Sequence, residues 1–161
     1  MRLRAAMVAA LSLAALAAVF WSSGAITPHI HWGATGLFTY VDENGELTTH
    51  LTIDVENEGI TPFVLTGIST DIPGMRFADT ETKEVTVSPG GFEMVKATVV
   101  ITDCTAVPHE PQPLRYTYRT WLHSGTAETV WDSPRIGGVP IAWQQWLSTG
   151  ACSEAVRDVW P

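Results

Sequence analysis

Between Glu46 and Glu56 the chain alternates with a period of two. Leu47, Leu51, Ile53 and Val55 fall on one side, and Thr48, His50, Thr52, Asp54 and Glu56 on the other. That pattern demands a strand with one buried and one solvated face, which an antiparallel sheet supplies. Similar runs recur at Leu37–Val41, Pro62–Thr70, Glu84–Ser88, Phe92–Asp103, Leu114–His123 and Ala127–Asp132. Turn residues separate them: Asp42-Glu43-Asn44-Gly45, Asn57-Glu58-Gly59, Pro73-Gly74 and Pro89-Gly90-Gly91. Asn-Gly between apolar runs is a strong hairpin signal. Seven or eight short strands without helices between them predict a mainly β, antiparallel β-sandwich over residues 36–161.

Two segments depart from this pattern. Residues 1–26 open with Arg2 and Arg4, then run apolar from Ala5 to Trp21, interrupted only by Ser12. This is a basic n-region followed by an apolar helix. Left intact, it predicts a single-pass anchor with the N-terminus cytoplasmic and the domain outside the cell membrane. Ser23 and Ala25 also satisfy the small-residue rule for cleavage after Ala25, which would release the protein. The length of the apolar run favours the anchor. Residues 27–35 are expected to form a juxtamembrane linker. Near the C-terminus, Val139, Ala142, Trp143, Trp146 and Leu147 fall at helical spacing, with Pro140 suited to the first turn and Gly150 to the stop. Cys152, Ala155, Val156, Val159 and Trp160 offer a second, weaker stripe.

The chain has 161 residues and a formal net charge of −8. Setting aside Arg2 and Arg4 leaves seven basic and 17 acidic residues in 26–161, a net −10. That balance argues against a nucleic-acid partner, because phosphates would be repelled. Cys104 and Cys152 form no Cys-x-x-Cys motif, so zinc and thioredoxin chemistry are not indicated. Behind an export signal, an even cysteine count predicts one disulfide, the alternative being two buried thiols.

The stretch Val55-Glu56-Asn57-Glu58-Gly59-Ile60-Thr61-Pro62 resembles immunoglobulin-like and fibronectin type III-like domains, as does Val87-Ser88-Pro89-Gly90-Gly91-Phe92. With its N-terminal segment, the chain resembles small exported or membrane-anchored actinobacterial envelope proteins. The resemblance implies fold and location and carries over no functional residues. The antibody-type cysteine–tryptophan–cysteine spacing is absent, since Cys152 lies beyond the last expected strand.

Chemistry is sparse. His29 and His31 point the same way in an extended chain and offer two ligands to Cu²⁺ or Zn²⁺, with no third nearby. His50, His109 and His123 are scattered. The acids Asp42, Glu43 and Glu46, and Asp54, Glu56 and Glu58, match no calcium loop and read as a solvated face. Nucleophile motifs such as Gly-x-Ser-x-Gly are missing, so a hydrolase would need a dispersed site. Arg115, Arg119 and Trp121 share one strand face and make a possible interaction patch, unless a C-terminal helix covers it. No cofactor is expected. The reading is a non-enzymatic binding or structural module of the cell envelope, held at the membrane and engaging an envelope protein. A metal-binding protein and a hydrolase are the alternatives.

Overall fold

The computed structural model describes residues 2–41, 46–80, 84–131, 135–136 and 139–158. The Asp42–Gly45 hairpin signal, Asp132, Val159 and Trp160 lie outside the described residues. The chain is mainly β. Helix α1 (Arg2–Ser22) leads into β1 (Ile30–Val41), β2 (Leu47–Asn57), β3 (Phe63–Ser69), β4 (Met75–Thr80), β5 (Val85–Val87), β6 (Phe92–Ile101), β7 (Pro113–Arg119) and β8 (Ser124–Val130). A two-stranded ribbon, β9 (Arg135–Ile136) and β10 (Val139–Pro140), precedes helix α2 (Trp143–Asp158).

Two four-stranded antiparallel sheets result, ordered β1-β2-β6-β4 and β5-β3-β7-β8. The alternation of β2 becomes burial: Leu51, Ile53 and Val55 are buried, and the opposite face is in contact with solvent at His50 and Glu56. Val95, Ala97, Val99 and Ile101 of β6 meet Phe63, Leu65 and Ile68 of β3 and Leu114, Tyr116 and Tyr118 of β7 in one core. A bulge between Leu65 and Gly67 resets the phase of β3, so that both Leu65 and Ile68 point inward. A Cβ on Gly67 would stand 2.8 Å from Thr117 Oγ1, so glycine is needed for that close strand approach.

Several elements differ from expectation. Strand β1 starts at Ile30, inside the expected linker. Ile30, Trp32 and Ala34 pack toward the core, and residues 30–34 pair with Asn57 through Ile53 of β2. Strand β4 was not expected, because a bulge between Phe77 and Asp79 breaks its alternation. Strand β7 ends at Arg119. The Thr120 N–H then donates to the His123 carbonyl at 2.7 Å, which closes a turn around Trp121 and Leu122. Pro140 ends the β-ribbon instead of starting a helix, and α2 runs through Gly150 as one element. Glycine costs a helix interior about 1 kcal/mol. Fully buried Ala151, one residue on, packs in the core and offsets it.

Helix α1 carries exposed apolar side chains all round, among them Leu11, Leu13, Leu16 and Val19. Among the described residues no helix is long and apolar enough to cross a membrane. The structure therefore gives no support to the expected spanning segment. The junction below α1 is nonetheless stitched into the sandwich. The Ser23 carbonyl accepts from the Thr61 hydroxyl at 3.0 Å and from the Ile60 N–H at 3.2 Å. The Ala25 carbonyl accepts from the Thr120 hydroxyl. Asn57 holds the adjoining loop from a fully buried position. Its amide donates to the carbonyls of Thr61 and Val87, and its oxygen accepts from the Gly59 N–H.

Candidate functional site

Four tryptophans from three stretches of the chain converge where α2 leans on β1. Trp32 is brought by β1, Trp131 by the residue just past β8, and Trp143 and Trp146 by the first turn of α2. With Leu147 they wall a cleft of about 250 Å³ whose floor is the nearly bare backbone of Gly33 and Ala34. Trp32, Trp131 and Trp143 are buried, and Trp146 is half-buried at the edge. Trp131 and Trp143 stack tilted at 5.5 Å, and Trp32 meets Tyr116 at 5.2 Å. The Trp143 indole N–H is already satisfied, donating to the Gln112 carbonyl at 2.8 Å. None of the lining residues titrates, so the cleft offers shape and π surface without acid–base chemistry.

The loop before β7 fixes the position of α2. Buried Gln144 donates to the Pro108 and Glu110 carbonyls, and Gln145 donates to the Val107 carbonyl at 2.7 Å. Cys104 and Cys152 stand at disulfide distance, with 6.4 Å between their Cα atoms. Beside them, Asp103 accepts from the hydroxyl and N–H of Thr105, which holds its carboxyl below the ordinary range.

Behind the cleft, burial and then the neighbouring Tyr118 push the Tyr116 hydroxyl up to about 12. The unfolded chain would ionise it near the ordinary value of about 10. Tyr116 therefore contributes stability that is complete below about pH 10 and lost as pH rises toward 12. Urea midpoints measured across that interval are expected to fall for the wild type and to fall less steeply for Tyr116→Phe.

The chain matches no protein-family model and no curated protein. The remaining candidate residues are dispersed. His29 is exposed just ahead of β1. His31 faces the outer side of the first sheet, where Asp54, Glu56, Phe92 and Met94 line a shallow open groove with it. Among the described residues no group of three or more His, Cys, Asp or Glu is placed to hold a metal. Asp42 and Glu43 are outside the described residues, and Glu58 is exposed in the β2–β3 loop. Glu46 pairs with Arg76 at 3.1 Å. His50 lies against Thr98, His123 against the Tyr118 ring, and His109 in the loop before β7.

Arg115 and Arg119 do lie on the outer face of the second sheet, but each is ion-paired at 2.8 Å, to Glu128 and Glu84 respectively. Trp121 is separate from them. It sits in the β7–β8 turn, exposed, with its ring 6.2 Å from that of Phe20 in α1. The cleft itself had only a partial signal in sequence. Trp143 and Trp146 belong to the helical stripe, while nothing local ties them to Trp32 or Trp131.

Proposed function

We propose that this chain is a non-enzymatic, membrane-anchored module of the cell envelope whose immunoglobulin-like domain takes an apolar side chain of a partner protein into the tryptophan cleft. The observation that carries the reading is the cleft: four indoles around an open, uncharged cavity. Its volume of about 250 Å³ falls below the roughly 300–1,000 Å³ of typical small-molecule sites, which suits one aliphatic or aromatic group. Tryptophan is also the residue type most enriched where binding energy concentrates.

Three further features support the setting. The order β1-β2-β6-β4 against β3-β7-β8 matches the ABED and CFG sheets of constant-type immunoglobulin domains, with β5 added beside β3. The apolar run from Ala5 to Trp21 behind Arg2 and Arg4 is the sequence pattern of an anchor. A helix whose described apolar side chains are exposed is more at home in lipid than in water. The Cys104–Cys152 pair fits an oxidising compartment. Arg2 and Arg4 then mark the cytoplasmic end.

The test is a pull-down from crosslinked native membranes with the full chain. A partner recovered by the wild type is expected to be lost with Trp146→Ala, which opens the edge of the cleft, and kept with Arg115→Ala on the second sheet. Recovery of no partner above background, or equal recovery with Trp146→Ala, would sink the proposal.

A further inference from the structure

We infer that the end of the sandwich next to α1 is itself a membrane-binding surface, its β2–β3 loop and β7–β8 turn resting in the outer headgroup layer. The inference rests on the reading of α1 as the anchor and extends it to the domain. It starts from a depth. Phe20 lies two residues before the end of α1, about 3 Å along the axis at 1.5 Å per residue. The Trp121 ring is 6.2 Å from it. The layer that holds Phe20 therefore also holds the tip of the β7–β8 turn.

The neighbouring side chains suit that layer. Trp21 is 65% exposed, Trp121 64% and Ile60 76%, with Leu122 half-exposed beside them. Tryptophan is enriched at membrane–water interfaces, where an apolar ring and one N–H donor are both satisfied. On a free-standing domain these residues would make an apolar patch in water at one end, joined to an apolar helix. The loops are also held in place. Ile60 N–H and the Thr61 hydroxyl both donate to the Ser23 carbonyl, and the Thr120 hydroxyl donates to that of Ala25. With no slack between α1 and the two loops, the domain cannot swing clear of the bilayer.

Charge sets the limit of immersion. The two loops carry one acid, Glu58, which is exposed, and His123, which lies against Tyr118. The next charge along β7 is Arg119, which is paired with Glu84 just ahead of β5. Glu58 must stay in water, so the loops reach the headgroups and the top of the acyl chains only. With no basic cluster, contact depends on apolar burial and not on anionic lipid.

The experiment uses the full chain in phosphatidylcholine vesicles containing lipid brominated near the top of its acyl chains. Indole emission quenched by the bromines is compared for wild type, Trp21→Phe and Trp121→Phe. Each substitution is expected to remove roughly half of the quenchable emission, since both indoles sit at interface depth. The same result is expected when phosphatidylglycerol is added. If Trp21→Phe lowers the quenching and Trp121→Phe leaves it unchanged, the domain stands off the membrane and the inference is wrong, while the anchor reading survives. If neither substitution changes the quenching, the anchor reading fails and the inference with it. Trp121 is exposed, so an unchanged thermal midpoint for Trp121→Phe checks that the fold is intact.

Discussion

Trp143→Ala is expected to destabilise the domain by about 3–5 kcal/mol, the range for deleting a buried aromatic side chain. The residue is 2% exposed and belongs to the central core. Its ring faces Trp131, and its N–H satisfies the carbonyl of Gln112 in the loop ahead of β7. Truncation therefore removes packing and also strips a hydrogen bond from a part-buried carbonyl. The hole would merge with the adjoining cleft, so water can enter and the walls have no reason to close over it. Against a typical total of about 5–15 kcal/mol, this loss leaves little margin. Urea unfolding followed by tryptophan emission measures it. Trp146→Ala, at the half-buried edge, is expected to cost clearly less, and an equal cost for the two would mean that the cleft is structural throughout.

Removing the Cys104–Cys152 pair is expected to have an effect of similar size by a different route. A crosslink spanning 48 residues contributes about 4 kcal/mol when it is assigned to lost disorder in the unfolded chain. The Cα separation of 6.4 Å lies within the ordinary range for a disulfide. Cys152 lies on α2, and Cys104 sits in the loop just beyond β6. Loss of the link frees the far half of α2 from that loop, while Gln144 and Gln145 still hold the near half to residues 107–110. The double variant Cys104→Ser/Cys152→Ser should therefore show amide exchange in residues 149–158 well before exchange in β2 and β6. Reduction of the wild type should reproduce that order. An unchanged melting temperature on reduction would show that the pair contributes nothing to stability.

These two results probe parts of the molecule that differ in how far sequence reveals them. Strands β2, β6 and β7 were legible because one face is wet and one dry, so burial is written directly into residue type. Strand β1 was only half legible. His29, His31 and Gly33 look like linker residues, and the inward set Ile30, Trp32 and Ala34 is recognisable only once β2 is there to pair with it. Strand β4 hid behind a bulge that shifts its phase after Phe77. The stop expected at Gly150 was a sound local argument that packing of Ala151 overrode. Trp121 was placed on a strand face with Arg115 and Arg119, but Thr120 closes a turn just before it. The cleft was the least legible feature, because its walls come from three separate places in the chain and meet only after both sheets have formed.

The stitched junction below α1 also bears on processing. Ser23 and Ala25 are the side chains that a leader peptidase would seat in its own pockets. In the folded protein they are already seated: Ala25 is 1% exposed and Ser23 8%. The bond after Ala25 is thus open to an enzyme only while residues 57–61 and 120–123 have yet to close around it. On the proposed anchor reading, release or retention would depend on whether cutting or folding comes first. A chain that folded first would hold Ser23 and Ala25 out of an enzyme's reach and so keep its helix.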